Sequence, residues 1–153
     1  MQNIAINVYA ILAAIFCSLL LISTHCYADY VVTPPTNTPE NIRGTTEVTA
    51  ETVINLISNS KDIVIVDSRI NDRPNGHIEG SINLPDVNTN CQSLSKIIKT
   101  KSTPVVFYCN GVKCGRSGNA VKIAIDCGYS TTYWYRDGFE DWLSRSYPYV
   151  TSH

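Results

Sequence analysis

Charge is missing from the beginning of this chain. No Asp, Glu, Lys or Arg occurs before Asp29, and Val8–Ile22 is almost wholly apolar. That run of fifteen residues falls short of the roughly 20 that a membrane-spanning helix needs. Cys26-Tyr27-Ala28 offers small residues where an export peptidase reads. The pattern predicts a signal peptide over residues 1–28, cleaved after Ala28. Because the leader also lacks Lys and Arg at its start, an uncleaved membrane anchor is the alternative. Both readings place the folded part outside the cytoplasm, as a periplasmic or extracellular domain.

A surplus of either charge is missing too. Twelve Lys and Arg stand against thirteen Asp and Glu, for a net charge of −1. The basic residues are scattered, which excludes the concentrated positive footprint of a nucleic-acid binder. Histidine is scarce. Of the three, only His77 lies within the expected folded region, so a Cys-His protease pair is excluded. The cysteine spacings match no zinc site with adequate ligands, and neither metal nor cofactor is expected. No internal repeat occurs, and no low-complexity stretch beyond a Pro/Thr/Asn-rich linker over residues 29–44.

What is present is a globular domain over residues 45–150, large enough at 44% hydrophobic composition to hold a core. Ala50, Val53, Ile54 and Ile57 follow helical spacing, with Thr49 as N-cap. Ile63–Val66 is a β-branched run suited to burial on both faces of a sheet. Ile82–Leu84 reads as a short strand stopped by Pro85, and Leu94, Ile97 and Ile98 as a helix capped by Asn90. Pro104–Tyr108 is a second buried strand, followed by a helix carrying Ala120, Ile123, Ala124 and Cys127 and ended by Gly128. Thr131–Tyr135 is an aromatic strand, and Phe139, Trp142 and Leu143 mark a last helix with Asp137 as its cap. Strands alternating with helices predict an α/β fold, a mainly parallel sheet with helices on both faces. Ligands of such sheets sit beyond the carboxyl ends of the strands.

Cys109 occupies that place. It opens the loop Cys109-Asn110-Gly111-Val112-Lys113-Cys114-Gly115-Arg116-Ser117 between a strand and a helix. Free N–H groups at a helix start, with Lys113 and Arg116 nearby, favour a thiolate there. Arg116 begins the helix, where a cation opposes the dipole; anion binding or a bond to a carboxylate explains it better than local stability. Cys109 is therefore the expected nucleophile, with Cys114 either a resolving thiol or a loop filler. A reversible Cys109–Cys114 bond fits an oxidising compartment. Cys91 and Cys127 read as small buried apolar residues rather than reactive ones. Sequence alone cannot choose among the three pairings of four cysteines.

Several segments in this order resemble the rhodanese-like family of single-domain sulfurtransferases. They are Val66-Asp67-Ser68-Arg69, Gly76–Pro85 (GHIEGSINLP), Val105–Cys109, Arg116-Ser117, Gly128-Tyr129, Tyr133–Gly138 and Trp142. The double-cysteine loop looks closer still to exported members. The resemblance implies a three-layer fold around a five-stranded sheet, and a persulfide on Cys109. A small sulfur-donor anion such as thiosulfate would supply the sulfur, and a thiol or cyanide would accept it. Gly111, Lys113, Gly115, Arg116 and Arg69 would bind the donor, and Asp67 and Ser117 would support the loop. Asp67 or the loop backbone would receive Arg116, although Arg69 reads equally as a surface ion pair. His77 would be structural, at a turn before the short strand. The chain departs from the family by placing six residues between Cys109 and Arg116, a longer loop that implies a wider pocket. Ile70–Asn75 is also shorter than the usual segment. Three other readings of the loop stand beside sulfur transfer: thiol–disulfide exchange, phosphatase or arsenate-reductase chemistry, and non-catalytic anion binding.

Overall fold

A computed structural model describes residues 38–151 of the chain. The expected signal peptide and most of the expected linker lie outside the described residues. Among the described residues there are five strands and four α-helices. They are β1 (Thr46–Glu47), α1 (Ala50–Asn59), β2 (Val64–Asp67), β3 (Ile82–Asn83), α2 (Cys91–Ile97), β4 (Val105–Tyr108), α3 (Arg116–Asp126), β5 (Thr132–Tyr135) and α4 (Gly138–Ser144). The sheet runs in the order β1-β5-β4-β2-β3, and every pairing is parallel. Among the described residues no helix is long and apolar enough to cross a membrane.

The side-chain alternation of β4 divides the core. Val105 and Phe107 face α2 and α3, packing with Leu94, Ile98, Ala120, Val121, Ala124 and Trp134. Val106 and Tyr108 face α1 and α4, packing with Ala50, Val53, Tyr135, Phe139 and Trp142. All four β4 residues are buried, as a strand with helices on both sides must be. The first strand has no sequence signal, since its two residues are exposed and it exists only by pairing with β5.

The caps follow local chemistry. Thr49 accepts from the Thr52 N–H, and Asn90 forms a capping box with Ser93. Asp137 stands at the N-cap position of α4 as expected, but its side chain makes no capping bond. The first free amides of that helix donate instead to the loop after β4: Phe139 N–H to the Cys109 carbonyl at 2.9 Å and Glu140 N–H to the Asn110 carbonyl at 2.7 Å. Gly138 makes the approach possible, because it has φ +64° and a Cβ there would lie 2.8 Å from the Asn110 carbonyl carbon.

Cys91 and Cys127 form a disulfide, which corrects their reading as inert buried residues. Cys91 is exposed, not buried. The bond joins the first residue of α2 to the residue closing α3, with Cα atoms 5.4 Å apart and a sequence separation of 36. Each cysteine lies at a helix end, where the side chain is free to turn toward its partner instead of into the core.

Candidate active site

Register places Asp67, Tyr108 and Tyr135 side by side at the carboxyl ends of the three central strands. Beyond Tyr108 the chain enters the cysteine loop. Its residues Asn110, Gly111, Lys113, Cys114 and Arg116 line a cavity of about 230 Å³, completed by Asp72 and Glu140.

The two loop cysteines are both free thiols but occupy different environments. Cys109 is fully buried. Its thiol donates to the Cys114 carbonyl at 2.9 Å and lies 3.1 Å from the Ser117 hydroxyl. Burial, followed by its hydrogen bond to Cys114, pushes its pKa up. Cys114 is half-buried and faces the cavity. Its pKa is lowered to about 6, chiefly by hydrogen bonding from the Cys109 thiol and further by the backbone amides of Arg116 and Asn110 and the Arg116 charge. Of the two loop thiols it is thus Cys114 whose anion is favoured, with the Arg116 and Asn110 amides contributing. Cys114 N–H donates to the Gly111 carbonyl at 2.8 Å, closing a tight turn within the loop.

Arg116 and Lys113 line the cavity as expected, and among the described residues neither makes a salt bridge. Gly111 permits the close approach of Glu140, whose Oε2 would lie 2.5 Å from a Cβ at that position. Gly115 precedes α3 with ordinary helical torsions. Ser117 is buried and accepts the Trp134 indole N–H at 3.0 Å. Its own hydrogen is thereby left for the Cys109 sulfur.

Arg69 is not a substrate clamp, nor is it a surface ion pair. It is 3% exposed and grips Asp67 with two bonds, Nε to Oδ1 at 2.9 Å and Nη2 to Oδ2 at 2.7 Å. It also donates to the Gly76 carbonyl at 2.8 Å and stacks 4.4 Å from the Phe139 ring centre. Asp67 accepts a further bond from the Tyr108 hydroxyl at 3.0 Å, leaving Arg116 without this carboxylate as partner. Burial and the Asp67 charge push the Tyr108 pKa up, so the phenol remains a donor. Asp67 thus holds the strand ends together rather than the loop. His77 is buried, and its backbone pairs with Val150. Burial, followed by the Arg73 charge, lowers its pKa.

Sequence reasoning missed Asp72 and Glu140. Asp72 accepts from the Asn110 side chain at 3.2 Å. Neither carboxylate belongs to a motif, and both reach the cavity only through the packing of the β2–β3 connection and α4 around the loop. Trp134 was readable as core, but nothing in the sequence linked its N–H to Ser117.

A parallel α/β domain with a cysteine loop leading from its central strand into a helix is the architecture of the rhodaneses. The rhodanese-like domain model matches residues 49–145, and the chain belongs to that family. It is similar to the uncharacterized protein YibN of Escherichia coli (strain K12), with 31% identity over 94 residues. That match covers 60% of this chain and 64% of YibN, under two thirds of the relative's length. Among solved structures, thiosulfate sulfurtransferase from Pseudomonas aeruginosa superposes with a TM-score of 0.61 at 20% identity, covering 72% of this chain and 21% of that one. The polysulfide-sulfur transferase homodimer from Wolinella succinogenes gives a TM-score of 0.59 at 20% identity, covering 71% and 80%. At these identities the structural likeness establishes the fold, and the expected five-stranded three-layer architecture is the one observed.

Proposed function

We propose that this protein is an exported sulfurtransferase whose loop thiols take a sulfane sulfur from a small donor such as thiosulfate and pass it to a thiol or, in the test tube, cyanide. The observation that carries the reading is the setting of Cys114. It faces a small cavity with two cations, and backbone amides and a thiol favour its anion. The family resemblance assigns the sulfur to Cys109, but burial keeps that sulfur from a donor in the cavity, and the first attack belongs to Cys114.

In the first step, the Cys114 thiolate attacks the sulfane sulfur of the donor. A new S–S bond forms as the donor's own S–S bond breaks, and sulfite leaves with the electron pair. Arg116 and Lys113 lie where they can hold the anionic donor and the departing sulfite. Asp72 and Glu140 oppose a second anion in the same space, which favours release of the sulfite.

Export is supported by the apolar run Val8–Ile22 and by the Cys91–Cys127 disulfide, a bond that persists in oxidising compartments. The test is thiosulfate:cyanide activity, with sulfite measured in the first turnover. Cys114→Ser abolishes the sulfite burst and Cys109→Ser retains it. A burst surviving in Cys114→Ser and lost in Cys109→Ser would return the first attack to Cys109, and equal activity in both variants would refute the assignment.

A further inference from the structure

In the first step Cys109 only supports the Cys114 anion as a hydrogen-bond donor, yet it is itself a free, buried thiol beside the attacking residue. Cys109 does not line the cavity, and its thiol donates to the carbonyl of residue 114 at 2.9 Å. Its burial shields it from a soluble donor or acceptor. The surroundings of Cys109 are also prepared for charge. Ser117, fully buried, has its oxygen occupied by the Trp134 N–H, and its hydroxyl hydrogen is available to the Cys109 sulfur 3.1 Å away. A wholly structural thiol needs no such donor. A sulfur that must become an anion inside the protein does, since burial penalises the charged form.

We propose that Cys109 resolves the persulfide formed on Cys114, expelling hydrosulfide and leaving a Cys109–Cys114 disulfide. The inference rests on the sulfur-transfer reading above and extends it to a second product.

The Cys109 sulfur attacks the Cys114 sulfur. The bond between Cys114 and the outer sulfur breaks, and its electron pair stays with that outer sulfur. The Cys109 proton goes with it, so the leaving group is HS⁻. The sulfane sulfur is thereby reduced to sulfide, while the two thiols supply both electrons and become a disulfide. A dithiol reductant, or two molecules of a monothiol, must then reduce the disulfide before another turnover. Electrons entering as thiol leave as sulfide, and the protein couples a sulfane donor to a thiol reductant without passing the persulfide to an external acceptor.

The experiment uses the full-length protein, reduced and desalted, with thiosulfate as probe and no thiol or cyanide present. Sulfite, sulfide and protein mass are followed through one turnover. Wild type is expected to release sulfite and then stoichiometric sulfide. Because trypsin cuts after Lys113, the product disulfide links two peptides that otherwise separate. All proteins are compared at about pH 9, where Cys114 ionises even without its hydrogen bond from Cys109. There Cys109→Ser and Cys109→Ala are expected to keep the sulfite burst, which shows an intact first site. Both should hold the extra sulfur atom and release sulfide more than about tenfold more slowly, as loss of an internal attacking thiol requires. If wild type releases sulfite but retains the added sulfur with no sulfide, the resolving step is overturned and sulfur transfer stands. Sulfide release by Cys109→Ser at the wild-type rate overturns it equally. Absence of the sulfite burst from wild type overturns both readings.

Discussion

Ser117 stands between Trp134 and Cys109, accepting the indole N–H at 3.0 Å and lying 3.1 Å from the buried sulfur. The indole bond leaves the hydroxyl hydrogen available to that sulfur. Replacing Ser117 by Ala removes the donor available to a Cys109 anion, a bond to charge worth about 1.5–3 kcal/mol. Sulfide release after thiosulfate loading is expected to slow by roughly tenfold or more, with the sulfite burst unchanged. Equal slowing of both products would instead indicate a general distortion of the loop.

The environment of Cys114 predicts a pH profile. Its pKa is lowered to about 6, so the thiolate forms as pH rises through that value. Iodoacetamide labelling of Cys114 should rise with the same midpoint and level off near neutrality. In Cys109→Ala the largest cause of the lowering is gone, and the midpoint is expected to move toward the ~8.5 of an ordinary thiol. Peptide mapping after timed labelling measures both, and an unchanged midpoint in the variant would remove Cys109 from the account of this thiolate.

Glu140 sets a second test, because its carboxylate shares the cavity with Lys113 and Arg116. Glu140→Gln keeps the shape and removes a negative charge facing an anionic donor. The expected result is a fall in KM for thiosulfate of roughly two- to fivefold at low salt, shrinking as ionic strength rises. Steady-state kinetics across a salt series checks it.

The pair Asp67–Arg69 is buried on both sides, with side-chain exposures of 0% and 4%. Arg69→Met leaves the buried Asp67 carboxylate with only the Tyr108 hydroxyl and a longer ion pair to Arg73 at 3.7 Å as side-chain partners. Breaking one side of such a pair costs about 3–5 kcal/mol, and urea unfolding should show a loss of that order. A variant as stable as wild type would show that the pair is dispensable.

The Cys91–Cys127 bond closes a loop of 36 residues. Chain-entropy reasoning gives it about 3–4 kcal/mol. The double variant Cys91→Ser/Cys127→Ser should unfold at lower urea by that amount while retaining the sulfite burst, since neither residue lines the cavity.

The layered fold was legible because its signals are local. Ile63–Val66 and Pro104–Tyr108 announce strands by composition, and Thr49 and Asn90 mark helix starts by side-chain chemistry. The first strand was not legible, because Thr46 and Glu47 are held by backbone bonds to β5 and carry no pattern. The loop was legible as a site by its cysteines and cations. That Cys114 lines the cavity while Cys109 is buried was not, because it depends on how the turn between Gly111 and Cys114 closes. Arg69 looked available because sequence does not reveal that Phe139, seventy residues later, closes over its guanidinium.

The docking of α4 on the carbonyls of Cys109 and Asn110 ties the shape of the loop to the order in which the polypeptide is completed. During synthesis residues 109–117 emerge before the amides of residues 138–140 can clasp them. A fragment ending at Asp137 would keep all five strands while losing the two backbone bonds that hold the loop against α4.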